Sequence, residues 1–591
     1  MKNRSEIEEK YTWDLTPLCK NDEEFYKKLQ KINEYLSKLK AFEGKLNNKE
    51  TIYEFLKLDE EFSKFVEPIA LYAHLRSDEV LSDDSRQEMG EKLSHILNIF
   101  SIETSFASSE LSKLSNAMLD DIIKDKKFAN YNRMFEEIKR DKKHMLSKSE
   151  EKLLSGMNFL SGFSSNMELL ADVDIKFGNI KDSKGKMHEL NQSAYTNLVR
   201  SDDRKLRKLA MTKLNGTFGD YINMLANNYI NEVKSNCYFA KVRKYKSALD
   251  SALLSEEIDK KVYDMLIKEV GKNLPVLFDY FKTKQKLLGV KTMYVYDHMA
   301  NVGHTTTHKY TYDEAIEIIK KAVSPLGEEY VALIDRAKNE RWIDVYPSKD
   351  KASGAYQTGV NGVHPYVLTN FEGDLDSIFT LAHELGHAMH SYYSDKTQVY
   401  QKSNYPIFLA EIASTTNEML LINYLLSVAK RKEEKIALYN KLFDEVKGSI
   451  FRQTMFAEFE EKVHSLCEEG EPLTKDRLCE TYYFLAMKYF GPVKLIKEIR
   501  YEWARIPHFF RAFYVYKYAT GMISAITFTN RILSNDKDAR SDYIKFLSAG
   551  CSEKPLKILQ NSGCDILDAK TFSSCFDYLK KMMAEWKALI D

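Results

Sequence analysis

Cysteine, proline and glycine are all scarce in this chain, and no sign of charge prevails. The seven cysteines among 591 residues are scattered, odd in number and never spaced Cys-x-x-Cys. That excludes a disulfide framework and a thiolate zinc knuckle, and it predicts reduced thiols and a cytoplasmic address. Eleven prolines and 23 glycines leave few turn signals for such a length, so long helices are expected. Lysine plus arginine equals aspartate plus glutamate at 87 each. Nothing therefore marks a nucleic-acid surface. No run is long and apolar enough to span a bilayer, and Met1-Lys-Asn-Arg-Ser-Glu-Ile-Glu-Glu-Lys10 lacks the apolar core of a signal peptide. The expectations are no nucleic acid and no membrane; the oligomeric state is not legible.

What is present is ordinary globular composition, 44% apolar and 29% charged. Amphipathic periodicity predicts helices over 23–39, 51–66, 130–141, 147–160, 202–225, 256–287 (as a pair), 312–324 and 326–339. Residues 176–190, with Gly178 and Gly185, read as a short hairpin or loop, and 294–298 as a brief extended piece. Residues 341–371, with three glycines and two prolines, form the one convincing strand-rich segment. Helices resume to 469 and over 474–489, and Trp503-Ala-Arg-Ile-Pro-His508 breaks the pattern.

The strand-rich segment leads into residues 374–390, where Ile378, Phe379, Leu381, Ala382, Leu385, Ala388 and Met389 make an apolar helical band with Asp374 or Asp376 as N-cap. His383 and His387 sit one turn apart on this helix, the spacing at which two neutral imidazoles reach one tetrahedral Zn²⁺. Glu384 lies about 100° round from His383, beside a metal rather than facing it. His-Glu-x-x-His on a helix is the zinc-peptidase signature, with the glutamate as general base. Burying two imidazoles and a carboxylate among apolar flanks without partners is costly, which favours a metal over two merely satisfied histidines.

A third ligand is needed. The extended astacin-type pattern requires Gly at 390 and His at 393; the chain has His390 and Tyr393, so that class is excluded. Three ligands in a row on one straight helix cannot converge on a tetrahedron, so His390 is expected behind the ligands or in a structural role. Pro406, suited to the first helical position after a loop over 394–405, opens a second apolar helix. There Glu411, between Ala410 and Ile412, is costly unless a cation pairs with it; Glu418, two turns on, is the alternative ligand or an acceptor for a ligand histidine N–H.

His383-Glu-Leu-Gly-His387, followed by Phe408-Leu-Ala-Glu-Ile-Ala-Ser-Thr415, resembles the oligoendopeptidase F branch of the thimet oligopeptidase family. The resemblance extends through Arg341-Trp-Ile-Asp-Val-Tyr346 and Ser353-Gly-Ala-Tyr356 to Ile506-Pro-His-Phe-Phe-Arg511 and Tyr514-Val-Tyr-Lys-Tyr-Ala-Thr-Gly521. It implies one zinc on His383, His387 and the second-helix Glu411. It implies a mainly α, two-lobed body around a deep cleft, with a small β element beside the zinc helix. It also implies short unfolded peptides as substrates. A strand beside a metal site can read an extended peptide backbone by β-augmentation; the resemblance assigns that to Gly354, Ala355 and Tyr356. His508 with Tyr514 and Tyr518, which share a face while Tyr516 points away, would bind the oxyanion; which tyrosine acts stays open. The chain is then expected to divide into an N-terminal helical region (1–110), a helical lobe with a hairpin (111–190) and a catalytic zinc-metallopeptidase region (191–591). The expected activity is cleavage of internal bonds of short oligopeptides. The alternatives are a helical zinc carboxypeptidase and a peptide-binding protein without turnover, for which Glu384 would have no use.

Overall fold

The computed structural model describes residues 1–156, 162–303, 308–534 and 536–590. It is mainly α-helical, and the chain divides into two compact units. The first gathers Met1–Lys143, Thr307–Leu421 and Arg531–Gly563; the second gathers His144–Thr306, Ile422–Asn530 and Cys564–Asp591. No helix among the described residues is long and apolar enough to cross a membrane.

In the first unit, α1 (Asp22–Lys40) and α2 (Lys49–Glu79) are capped by Asn21 and Asn48, whose side chains accept the N–H groups of Glu24 and Thr51. Phe25, Leu29 and Ile32 of α1 repeat at helical spacing and are buried. α2 runs past the expected end at residue 66 and through Pro68. An internal proline costs about 3 kcal/mol, but Ile69, Tyr72 and Leu75 continue the apolar face into the core, and their burial outweighs the lost backbone bond.

The same core takes in Tyr366 and Leu368 of a small sheet. Its strands are β3 (Ile343–Asp344), β4 (Tyr356–Thr358) and β5 (Tyr366–Leu368), in the order β3-β5-β4. β5 is the central strand, parallel to β3 and antiparallel to β4, with Tyr356 opposite Leu368 and Thr358 opposite Tyr366. β4 is therefore an edge strand. Under the sheet, buried Asp344 pairs with Arg4 at 2.5 Å and Lys351 at 2.7 Å. Lys351 also donates to the carbonyls of Tyr346 and Thr369, which ties the loop before β4 to the end of β5. The sheet is followed by α3 (Leu375–Thr397) and α4 (Ile407–Val428). The expected loop over 394–405 is shorter than predicted, because α3 continues to Thr397 and Tyr400–Ser403 forms a further helical turn. Pro406 stands just before the helix rather than at its first position, its carbonyl accepting from Leu409 and Ala410.

The second unit holds the 176–190 hairpin, β1 (Asn179–Lys181) antiparallel to β2 (Met187–Glu189). It also holds α5 (Gln453–Glu468), and α6 (Tyr516–Leu533) begins there. Two expectations are corrected. The helix over 202–225 is interrupted at Tyr221, between Arg204–Asp220 and Ile222–Val242. Within 294–298 Tyr294 is extended, bridged to Lys494, but Val295–Asp297 is a 3₁₀ turn. Its buried Asp297 carboxylate accepts the Tyr294 N–H at 3.0 Å and is gripped by Arg204 and Arg207. The predicted helix over 147–160 is seen as Lys148–Gly156, its remainder lying outside the described residues.

Candidate active site

Of the two N-cap candidates, Asp374 takes the position, accepting the Ser377 N–H at 2.8 Å. From there the apolar residues of α3 turn inward; Leu381, Ala382, Leu385, Ala388 and Met389 are fully buried. α4 approaches so closely that a Cβ on Gly386 would lie 2.6 Å from the Ser414 Cα. Asn417 adds a polar tie, donating to the Ala382 carbonyl at 3.1 Å while accepting from the Tyr330 hydroxyl at 2.8 Å. Sequence reasoning missed both positions. A glycine inside an apolar helix was the available signal, since it weakens a helix unless something needs its missing side chain.

This contact brings Glu411 and Glu418 of α4 to the two sides of one imidazole. Glu411 Oε2 lies 3.7 Å from His383 Nε2, and Glu418 Oε1 lies 3.4 Å from His383 Nδ1. One donor atom each from His383, His387 and Glu411 fall within 4.8 Å of one another. Tetrahedral bonds of about 2.0–2.1 Å place ligand atoms about 3.4 Å apart, so two nitrogens and a carboxylate oxygen at this spacing fit one divalent ion. Glu384 is only 7% exposed and is not part of that trio.

The electrostatics ask for a cation. Burial, reinforced by the charges of Glu411 and Glu418, pushes the Glu384 carboxyl up to about 7 against the opposing pull of His383. For His383, burial opposes the charged form but is outweighed by Glu418 first and by Glu384 and Glu411 after it, and the imidazole is raised to about 9. His387 is lowered to about 3 by burial and the His383 charge, despite its hydrogen bond to the Ala410 backbone. A pocket of about 570 Å³ opens onto His383, Glu384 and Glu418, with Thr380, Gly354 and Ala355 also on its wall.

The remaining expected residues are placed as follows. Gly354 and Ala355 reach the pocket, but Tyr356 does not line it: its hydroxyl donates to the Asp78 carboxylate. His390 is fully buried, stacked on Tyr405 at 3.6 Å and near Phe546, with neither ring nitrogen hydrogen-bonded among the described residues. His508, Tyr514 and Tyr518 form a cluster within the second unit. His508 Nε2 lies 3.5 Å from the Tyr518 hydroxyl, and the two tyrosine rings meet edge-on at 5.4 Å. Burial, with Arg511 nearby, lowers the His508 pKa. Tyr516 points away into the core, 1% exposed against Tyr263.

Residues 197–578 match peptidase family M3, and residues 110–177 match the Oligopeptidase F family. The chain belongs to peptidase family M3. It is a metallopeptidase, and the His383-His387-Glu411 trio is a group able to hold its metal. Oligopeptidase PepF of Bacillus subtilis (strain 168) is 36% identical over 100% of this chain and 88% of its own length. Group B oligopeptidase PepB of Streptococcus agalactiae is 35% identical over 100% of this chain and 98% of its own. Among solved structures, oligoendopeptidase-F from Enterococcus faecium superposes with a TM-score of 0.73 at 30% identity, covering 96% and 99% of the two chains. A chain from Chlamydophila abortus reaches 0.95 at 34% identity with full coverage of both.

Proposed function

We propose that this peptidase is a zinc endopeptidase that cuts internal bonds of short oligopeptides. The observation that carries the reading is the trio His383, His387 and Glu411, two nitrogens and one carboxylate oxygen within 4.8 Å, with Glu384 beside it and outside it. Two imidazoles and one carboxylate suit zinc, and relatives named oligopeptidase and oligoendopeptidase F support the substrate class. Zinc bound there supplies Lewis-acid chemistry, acidifying water and polarising a carbonyl.

The chain's own residues do the rest. Glu418 accepts the His383 Nδ1–H and so leaves the Nε2 lone pair facing Glu411; the Ala410 carbonyl serves His387 in the same way. Glu384, buried beside the trio and outside it, takes a proton from water and delivers it to the leaving amine. The open edge of β4 hydrogen-bonds an extended peptide, with Gly354 and Ala355 allowing close approach to the pocket. His508 and the Tyr514–Tyr518 pair donate hydrogen bonds to the oxyanion; their shared cluster and the motif resemblance support this. The scattered, odd-numbered cysteines suit a reducing, cytoplasmic compartment.

The test is mass spectrometry of fragments from a defined peptide mixture, with metal analysis of the same preparation. Wild-type protein should hold one zinc and release internal fragments. Glu384→Gln should hold as much zinc and lose nearly all hydrolysis. Release of single C-terminal residues would replace the reading with a carboxypeptidase, and an active Glu384→Gln would remove the general-base assignment.

A further inference from the structure

One fully buried carboxyl group in the second unit is left without a role by the chemistry above. Glu460 lies on α5, is 0% exposed, and accepts the Phe513 N–H on Oε1 at 2.9 Å. Phe513 is itself buried and has φ of +56°, a left-handed backbone that a phenylalanine adopts only under constraint. It sits at the pivot between the two halves of the aromatic cluster. On one side Arg511 N–H bonds back to the His508 carbonyl at 2.9 Å; on the other Tyr514 N–H bonds to Arg511 at 3.2 Å and Tyr518 N–H to Val515 at 3.2 Å. The direction in which the chain leaves Phe513 therefore sets where Tyr514 and the start of α6 stand relative to His508.

The same face of α5 grips this turn at three levels. Ala457 accepts the Tyr263 hydroxyl at 2.7 Å, and the Tyr263 ring meets Phe513 edge-on at 6.1 Å. Glu460 holds the Phe513 backbone, and His464, one turn on, packs against the Phe513 ring at 4.5 Å. Burial pushes the Glu460 carboxyl well above its ordinary range, against the opposing hydrogen bond from Phe513. A neutral acid has one oxygen to accept the amide and an O–H of its own, which makes glutamine its near-isostere.

We propose that Glu460 is a positioning residue for hydrolysis: by accepting the Phe513 N–H it holds the left-handed turn that gathers His508, Tyr514 and Tyr518 into one cluster. The inference rests on the reading of that cluster as the oxyanion donors. A purely structural role for Glu460 would alter stability and leave turnover per folded, metal-loaded molecule unchanged.

The experiment is steady-state kinetics, normalised to bound zinc, on Glu460→Leu, Glu460→Gln and Glu460→Asp, alone and combined with Tyr518→Phe. Glu460→Leu keeps volume and removes the acceptor. It should lower kcat by about 10- to 100-fold with KM within about twofold, at or below the loss from removing one oxyanion donor outright, as suits a donor that is misplaced. Glu460→Gln should restore kcat to within about twofold. In the Tyr518→Phe background Glu460→Leu should cost less than it does in the wild type, because part of its effect runs through the Tyr518 hydroxyl. Wild-type kcat in Glu460→Leu, equal damage in Glu460→Gln, or full additivity with Tyr518→Phe would each overturn the proposal. If Glu460→Leu does not fold, Glu460→Asp carries the test: its shortened side chain withdraws the acceptor, and wild-type kcat there is the overturning result. If Tyr514→Phe, Tyr518→Phe and His508→Ala all keep wild-type kcat, the oxyanion reading falls, and the proposal falls with it. If those variants are impaired and Glu460→Leu is not, only the proposal falls.

Discussion

His383 shows how much one side chain's surroundings decide. Its Nε2 faces Glu411 at 3.7 Å and its Nδ1 faces Glu418 at 3.4 Å, so two carboxylates of like chemistry are given different tasks by the ring between them. Removing a metal ligand and removing its hydrogen-bond partner should then differ in degree. Glu411→Ala should lose stoichiometric zinc. Glu418→Ala should still bind it, about 10- to 100-fold more weakly, as is typical when the group behind a ligand histidine is lost. Competition with a chromogenic chelator separates the two. Tight zinc binding by Glu411→Ala together with its loss in Glu418→Ala would exchange the assignments.

At the scale of elements, the site depends on how closely two helices approach. α3 supplies both histidines and Glu384, and α4 supplies both partner carboxylates. Between them Gly386 leaves no room for a methyl group, the neighbouring atoms being backbone of Ala413 and Ser414 rather than a flexible side chain. Gly386→Ala favours the helix by about 1 kcal/mol on propensity, yet it must push α4 away. The expected outcome is a net loss of about 1–3 kcal/mol of stability, as for overpacked cores, and a zinc affinity at least about tenfold weaker. Denaturant unfolding and chelator competition would measure the two; unchanged zinc affinity would mean that α4 can recede without carrying Glu411 off. The sheet is local in the same sense. β4 offers its edge because β5, whose three residues are fully buried, occupies the middle.

At the scale of the molecule, 87 acidic residues balance 87 basic ones, so acidification converts a neutral chain into a strongly positive one. Buried carboxylates set how much stability that removes. Glu502 accepts from Arg452 at 2.7 Å and Tyr482 at 2.8 Å. Its burial opposes ionisation, but Arg452 and Arg505 outweigh that and lower it from 4.5 to about 2. A folded pKa below the unfolded one contributes stability that is present above about pH 4.5 and is lost as pH falls toward 2. The shift corresponds to about 3 kcal/mol. Glu502→Gln should therefore be destabilised by about that amount at pH 7, with the gap narrowing below pH 4.5 as the wild type loses the same charge. Denaturant titrations of both proteins at pH 7 and pH 3.5 test this; a gap independent of pH would show that the charge is not what stabilises.

The sequence by itself determined what depends on neighbours along the chain. The i,i+4 histidines, the displaced Glu384, a cap at Asp374 or Asp376 and a hairpin or loop over 176–190 follow from helical and strand periods, which act within a few residues. The three family-like segments around residues 354, 411 and 511 were legible for the same reason, as short runs of fixed spacing. Tertiary structure decided the rest. Glu411 and Glu418 both point from α4 toward α3, and only the close approach at Gly386 settles which imidazole nitrogen each one meets. His390 shares a helix face with His383 and His387, but Tyr405, brought back by the 400–403 turn, closes over its ring. α2 continues through Pro68 because a distant core buries the face beyond it, and Phe513 holds a left-handed backbone because Glu460, 53 residues earlier, accepts its amide. Each compact unit gathers three stretches far apart in the chain, so its contacts form only on folding and leave no local period in the sequence.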